Sequence, residues 1–185
     1  KIRLMDSALE LRRFYLPQPV DEETQEPRIE PFDQAVIAAE VAALEPGQCV
    51  VRQSEFEVWL VRAEQIPTGL KEIGRLRELT FRSVGEGTGK EMDLDEYDLY
   101  YEQLIIWDKD AQRIVGGYRI GRGDKIFSDY GAQGFYVSSL FKIKKGFYSI
   151  FPQALELGRS YIIDDYQRKR LPLFLLWKGI LSFLL

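Results

Sequence analysis

RLRELTFRSVGEGTGKEMDLDEYD, from Arg75 to Asp98, joins a helix-like run to a glycine loop and then to an acidic run. A phosphate loop of the form GxxxxGK[ST] is the first reading to test, because its backbone amides, lysine and hydroxyl all grip phosphate. The register fails. Counting back from Gly89-Lys90 places Val84 at the first glycine, and Glu91 follows the lysine where a hydroxyl belongs. A calcium loop fails as well: Asp93, Asp95 and Tyr97 take its first ligand positions, and Asp98 stands where the sharp-turn glycine is required. The stretch therefore needs a reading in which arginines, glycines and aspartates act together.

Around this stretch lie 185 residues, 45% apolar, with Phe 11, Tyr 10 and Trp 3, enough to bury one sizeable core. Lys and Arg total 25 against 29 acidic residues, a net charge of -4, so no nucleic-acid partner is expected. Cys49 is the only cysteine and makes no internal disulfide, which suits a cytoplasmic protein, expected at the inner face of the membrane. With no histidine, Ser-His-Asp and Cys-His machinery and histidine-ligated zinc are excluded. Carboxylates, tyrosines and backbone amides are left as candidate catalysts, and no metal site is expected. The chain starts at Lys1 and stops at Leu185 inside an apolar run, so it reads as a fragment, and no signal peptide is visible. The final PLFLLWKGILSFLL has 14 residues, short of the roughly 20 that span a bilayer. It is expected to be a core helix and a candidate peripheral membrane contact.

Residues 1–48 read as helix-like pieces around an acidic connector, PQPVDEETQEPRIEPF, a linker or surface arm. From Cys49, CVV and FEVWLV read as strands, and Pro67 opens a helix to about Arg82. LIIWD and RIVGGYRIG flank the polar turn KDAQ as an antiparallel hairpin. GFYVSSLFKIKKGFY is irregular, LELGRSYII reads as a buried strand, and a helix from Pro172 closes the chain.

Three signals stand out. On the helix from Pro67, a 3.6-residue period puts Arg77 in the middle of the stripe Leu70, Ile73, Phe81 and Val84. Either its guanidinium snorkels to water, or it is buried against carboxylates, for which Asp93, Asp95 and Asp98 are the candidates. Arg119 follows Gly116 and Gly117 on a strand, where the glycines leave open space or mark a twist. Glu156 and Arg159 are three apart, so a regular strand points them to opposite faces. A bulge at Gly158 would bring both to one side and free backbone amides for a carbonyl; without it they are an ordinary surface pair.

In order, Arg77 and Phe81 of RLRELTF, D-x-D-x-x-D in DLDEYD, the arginine of VGGYRIG and the ExxR of ELGRS resemble the signature of N-acyl-homoserine-lactone synthases. GRLRELTFRSVGEGTGKEMDLDEYDLYY, ELGRSYI and LLWKGI resemble more closely the hemolysin-like N-acyltransferases of the GNAT superfamily, which include ornithine-lipid and glycine-lipid enzymes. The resemblance covers roughly residues 49–185. It implies an α+β fold, a mixed and mainly antiparallel sheet flanked by helices, truncated at its C-terminal end, with residues 1–48 as the end of an upstream acyltransferase domain.

It also implies an activity: transfer of a fatty acyl group, 3-hydroxyacyl included, from an acyl carrier protein to the α-amino group of an amino acid in aminolipid synthesis. The site residues it implies are Arg77, Phe81, Asp93, Asp95, Asp98 and Arg119 at the acceptor, with Glu156 as base and Arg159 orienting it or the acidic loop. VGEGTG is then the crossing that folds DLDEYD back onto Arg77 and Arg119. Two departures bear on this. Gln103 stands where the related enzymes often have histidine, and Arg170 and Pro172 replace the glycines of the loop that binds the pyrophosphate of coenzyme A. No bound cofactor is expected. An acyl carrier protein is the expected donor ahead of acyl-coenzyme A, docking on Lys142, Lys144, Lys145, Arg168, Lys169 and Arg170, because such carriers are acidic. The alternative is a non-catalytic carrier- or lipid-docking domain of a fused glycerolipid O-acyltransferase.

Overall fold

Residues 9–11 and 25–182 are described by the structure, a computed structural model. Five strands form one sheet in the order β2-β3-β4-β5-β7: β2 is Cys49–Gln53, β3 Phe56–Arg62, β4 Glu102–Asp108, β5 Arg113–Arg122 and β7 Leu155–Ile162. Strands β2 and β3 pair antiparallel, as do β3 and β4, the latter in continuous register from Phe56 opposite Asp108 to Arg62 opposite Glu102. The KDAQ turn joins β4 to β5: the Asp108 carboxylate accepts the Asp110 and Ala111 amides, and Gln112 takes the left-handed conformation (φ 50°) that closes it. A second, two-stranded sheet pairs β1, Leu9–Leu11, with β6, Phe141–Ile143. The helical reading of the first residues is thereby corrected at Leu9–Leu11; residues 1–8 and 12–24 lie outside the described residues.

The chain divides into two compact units. Among the described residues the larger takes 25–119 and 158–182. In it, helix α1, Gln34–Ala42, is capped by Asp33, whose carboxylate accepts the Ala35 and Val36 amides. Helix α2 runs Pro67–Arg82, opened by the proline at its first position; after the four-residue α5, Asp164–Gln167, helix α6, Arg170–Leu181, packs beside β2, β3 and β4. This last helix begins two residues before Pro172, which occupies a first-turn position where its missing N–H is tolerated. The 26–44 stretch, expected as an arm or linker, is bound to α2: Glu40 accepts the Thr68 and Gly69 amides and Glu72 accepts the Phe32 amide. The two Glu40 bonds satisfy N–H groups that the start of α2 leaves without partners.

Among the described residues the smaller unit holds 9–11 and 120–157. Its irregular stretch is a chain of short helices: α3, Gly123–Tyr130; a 3-10 turn, Gly131–Gly134; α4, Val137–Leu140; and a 3-10 run, Lys145–Gln153. Aromatic rings fill it, with Phe135 and Phe151 centred 4.3 Å apart and Phe127 stacked on Phe151.

Two details of the sheet differ from expectation. β7 is not buried: of Leu155–Ile162 only Tyr161 is, and the rest are half-buried or exposed. Nor do Gly116 and Gly117 leave open space; a Cβ on either would come within 2.7 Å of a carbonyl oxygen, of Tyr161 or of Leu104. The glycines serve close backbone approach.

Candidate functional site

Helix α2 carries the site in the larger unit, and its buried face is more charged than its periodicity suggested. Glu72, Arg75, Arg77 and Glu78 are buried beside Ile73 and Leu76, whereas Leu70 and Phe81 are half-buried and Val84 is exposed past the helix end. The reason is pairing: Arg75 grips Glu72 through two bonds of 2.7–2.8 Å, and Arg82 grips Glu78 one turn away. A buried charge is tolerated when its partner and hydrogen bonds come with it.

Arg77 has 0% exposure, which excludes snorkelling. Its guanidinium donates to Asp98 Oδ1 at 2.7 Å and to Gln103 Oε1 at 2.6 Å. Gln103 in turn donates to the same Asp98 oxygen at 3.0 Å. On the other side of Asp98, Oδ2 accepts Arg119 Nη1 at 3.1 Å and the Asp95 amide at 3.0 Å. Arg119 also donates to Asp95 at 2.5 Å, and its guanidinium lies 5.5 Å and 5.4 Å from the ring centres of Tyr97 and Tyr101. Arg159 Nε completes the cluster, 3.2 Å from Asp93 Oδ1, which accepts from it, and 2.9 Å from Oδ2; its Nη2 stands 3.9 Å from Asp95. Arg77, Arg119 and Arg159 thus face Asp93, Asp95 and Asp98 with balanced charge. Among the described residues, no group of Cys, Asp or Glu side chains is arranged to hold a metal ion.

The protonation of these acids follows their surroundings. Burial pushes Asp98 up, but the Arg77 and Arg119 guanidiniums outweigh it and hold the carboxyl below the usual carboxylate range. Burial wins at Asp93, which is raised despite Arg159 and Arg77. Tyr161, buried with its hydroxyl unpaired, is raised by burial.

The glycine loop answers the phosphate question directly. Its amides are occupied by the protein's own carboxylate: Glu78 accepts the Thr88 amide and hydroxyl and the Gly89 amide at 2.7–2.9 Å. Burial raises Glu78, and the Thr88, Arg82 and Gly89 bonds more than offset it, so this carboxyl is held low. Gly89 sits at φ 77°, a conformation that favours glycine. Beyond the loop the Asp93 amide donates to the Gly74 carbonyl, and a Cβ at Gly74 would meet Leu94 Cγ at 2.5 Å. A carboxylate clamp and a tight helix contact together fix where DLDEYD lies.

Glu156 belongs to the smaller unit. Its two carboxylate oxygens accept the amides of Tyr136 and Val137, at 2.9 Å and 2.7 Å, where α4 begins. The left-handed residue on β7 is Arg159, at φ 52°, and not Gly158. The irregularity is one residue later than expected, and it sends Arg159 to the aspartates while Glu156 goes to amides. Phe81 is half-buried at the end of α2, its carbonyl accepting the Val84 and Glu86 amides. Lys142, Lys144, Lys145, Arg168, Lys169 and Arg170 are all exposed, Lys169 with its ammonium 4.1 Å from the Tyr166 ring centre. Gln103, Tyr97 and Tyr101 were not singled out as site residues from the sequence. Gln103 carried a signal as the residue standing where the related enzymes often have histidine; for Tyr97 and Tyr101 the signal is proximity, since they lie in or just after the acidic run.

Comparison with known proteins identifies the family. The profile of the acetyltransferase (GNAT) domain matches residues 76–177. The chain is similar to a glycine N(alpha)-acyltransferase of Phocaeicola vulgatus, 36% identical over 147 residues, covering 77% of this chain and 45% of that protein. A glycine N(alpha)-acyltransferase of Bacteroides thetaiotaomicron is 39% identical over 126 residues, 65% of this chain and 37% of that protein. An L-ornithine N(alpha)-acyltransferase of Agrobacterium fabrum is 32% identical over 111 residues, 56% of this chain and 36% of that protein. The chain therefore spans less than half the length of these relatives. No solved structure matches it.

Proposed function

Because the chain belongs to the GNAT acetyltransferase domain family, we propose that it is the acyl-transferring part of an amide-forming N-acyltransferase of aminolipid synthesis. Similarity to two glycine enzymes and one ornithine enzyme supports this most. Glycine ranks first as acceptor, since the glycine relatives are 36% and 39% identical against 32% for the ornithine relative.

In the proposed reaction the acceptor's ammonium gives a proton to Glu156, directly or through water, because a protonated amine has no lone pair for attack. The amine nitrogen then bonds to the thioester carbonyl carbon. Backbone amides near Gly158 and Arg159, where the strand leaves its regular course, hold the oxyanion. The C–S bond breaks, the amide forms, and the thiol leaves with a proton. Asp98 is saturated by Arg77, Gln103 and Arg119, so we assign it to pre-organisation. Asp95, with 23% side-chain exposure against 2% for Asp98, is the more accessible carboxylate of this cluster.

The donor is an acyl carrier protein thioester, 3-hydroxyacyl chains included. Pro172 supplies no N–H at the start of α6, and Arg170 fills a position where glycine would let a pyrophosphate approach. The two basic clusters suit an acidic carrier instead, at the inner face of the membrane.

The test incubates the purified protein with acyl carrier protein or coenzyme A thioesters of one chain and a panel of amino acids, reading amide product by mass spectrometry. Glycine amide, formed more efficiently from the carrier and less so at high salt, is expected. Carrier binding without amide from any amino acid would overturn the enzymatic reading, and equal efficiency with both donors would overturn the carrier preference.

A further inference from the structure

Helix α6 is apolar on two sides. Pro172, Leu175, Leu176, Gly179 and Ile180 are buried, and Gly179 lies against Val58 and Leu104 of the sheet. On the opposite side Leu173, Phe174, Trp177 and Leu181 are each more than half exposed. At about 100° per residue those four positions form one stripe rather than scattered singles. Arg170 falls within the stripe at its start and Lys178 on its border, both exposed. Arg168 and Lys169 precede it, and no acidic residue occurs from Tyr166 to Leu185. The nearest acids are Asp164 and Asp165, the second 3.6 Å from Arg113.

We propose that this outward face of α6 docks on an anionic lipid surface. Tryptophan and phenylalanine rings settle at the headgroup boundary, leucines enter the acyl region, and lysine and arginine stems reach back to lipid phosphates. Docking means lying in the interface: no helix among the described residues is long and apolar enough to cross a membrane. A second copy of the chain fits less well, because pairing two such basic faces brings like charges together without any acidic partner from this helix. The inference rests on the lipid-forming reading above, and it gives the proposed membrane contact a place. A product with a fatty acyl chain would then be released where it partitions.

Trp177 provides the probe, since Trp59 and Trp107, the other two tryptophans, are buried. Vesicles of phosphatidylglycerol are expected to blue-shift tryptophan emission and bromine-labelled lipid to quench it, with little effect from phosphatidylcholine. Leu173→Glu with Phe174→Glu should abolish the shift at unchanged melting temperature, because both side chains stand in solvent. Lys178→Glu, outside the carrier cluster, should weaken vesicle binding by about tenfold or more, and salt should weaken it further. No shift with phosphatidylglycerol, equal binding to both lipids, or unchanged binding by the glutamate variants overturns the proposal. A shift that grows with protein concentration in the absence of lipid, or that only an acidic carrier protein produces, overturns it too. No acyl donor is present, so failure here leaves the acyltransferase reading standing, and failure of amide formation leaves this result standing.

Discussion

Asp98 and Glu156 are both carboxylates held by several hydrogen bonds, but by opposite kinds of donor. Asp98 is 1% exposed and is gripped by two guanidiniums, a glutamine amide and one main-chain amide. Glu156 is half-buried and held by two main-chain amides at the start of a four-residue helix. Guanidiniums bring a compensating positive charge to a carboxylate; main-chain amides hold it by charge-assisted hydrogen bonds and bring no net charge. The first arrangement is a buried, charge-balanced anchor, and the second leaves a carboxylate half-buried and fixed at a helix start.

The largest expected effect comes from breaking the anchor. Arg77→Met leaves Asp98 buried with half of its charge compensation gone and should cost about 3–5 kcal/mol in urea denaturation. Adding Asp98→Asn should restore much of the loss; no recovery would mean that the cost lies in Arg77's packing. Acid titration sharpens the same point. The folded-state pKa values of Asp98 and Glu78 are depressed, so their contribution is present above the usual carboxylate range and is lost as pH falls through the depressed values. Asp93 is raised and works the other way, its ionised form costing stability as pH rises through its folded pKa. The urea midpoint should therefore drop steeply below the usual range, and Asp98→Asn should flatten the drop.

Intermediate effects are expected where the loop is positioned. Gly74→Val drives side-chain atoms into Leu94 and should cost about 1–3 kcal/mol by overpacking. An unchanged urea midpoint would show that Leu94 moves aside freely. The smallest effect is that of Thr88→Val, which removes the hydroxyl's bond to Glu78 and the exposed 3.2 Å bond it accepts from the Lys90 amide, about 1 kcal/mol. A loss of several kcal/mol there would mean that the whole clamp depends on that hydroxyl.

How far the sequence disclosed this arrangement depends on the range of the interactions. Pro67 marked the start of α2 and the KDAQ turn marked the hairpin, since proline and turn chemistry act locally. Arg77 stood out because a charge within an apolar stripe demands a partner, and the acidic run was the nearest supply. Glu72, Arg75 and Glu78 did not stand out: a helix-surface reading treats i,i+3 and i,i+4 pairs as solvent-facing, whereas here tertiary packing buries them. The left-handed residue is Arg159 and not Gly158, against local preference, and it coincides with long-range contacts to Asp93 and Asp95 that a local reading does not see. The pairing of β1 with β6 joins residues more than a hundred positions apart, and three residues carry too little pattern to announce it.

The central claim is that Glu156 takes the proton while the arginine–aspartate network stays structural. Single-turnover amide formation by Glu156→Gln beside the unmodified chain, with melting temperatures on the same samples, tests it most directly. Glutamine keeps an oxygen for one of the two amides but is not a base, so the rate should fall by about 10²-fold or more while the melting temperature changes by only a few degrees. Turnover close to that of the unmodified chain, or a rate loss that merely follows loss of the fold, would contradict the account.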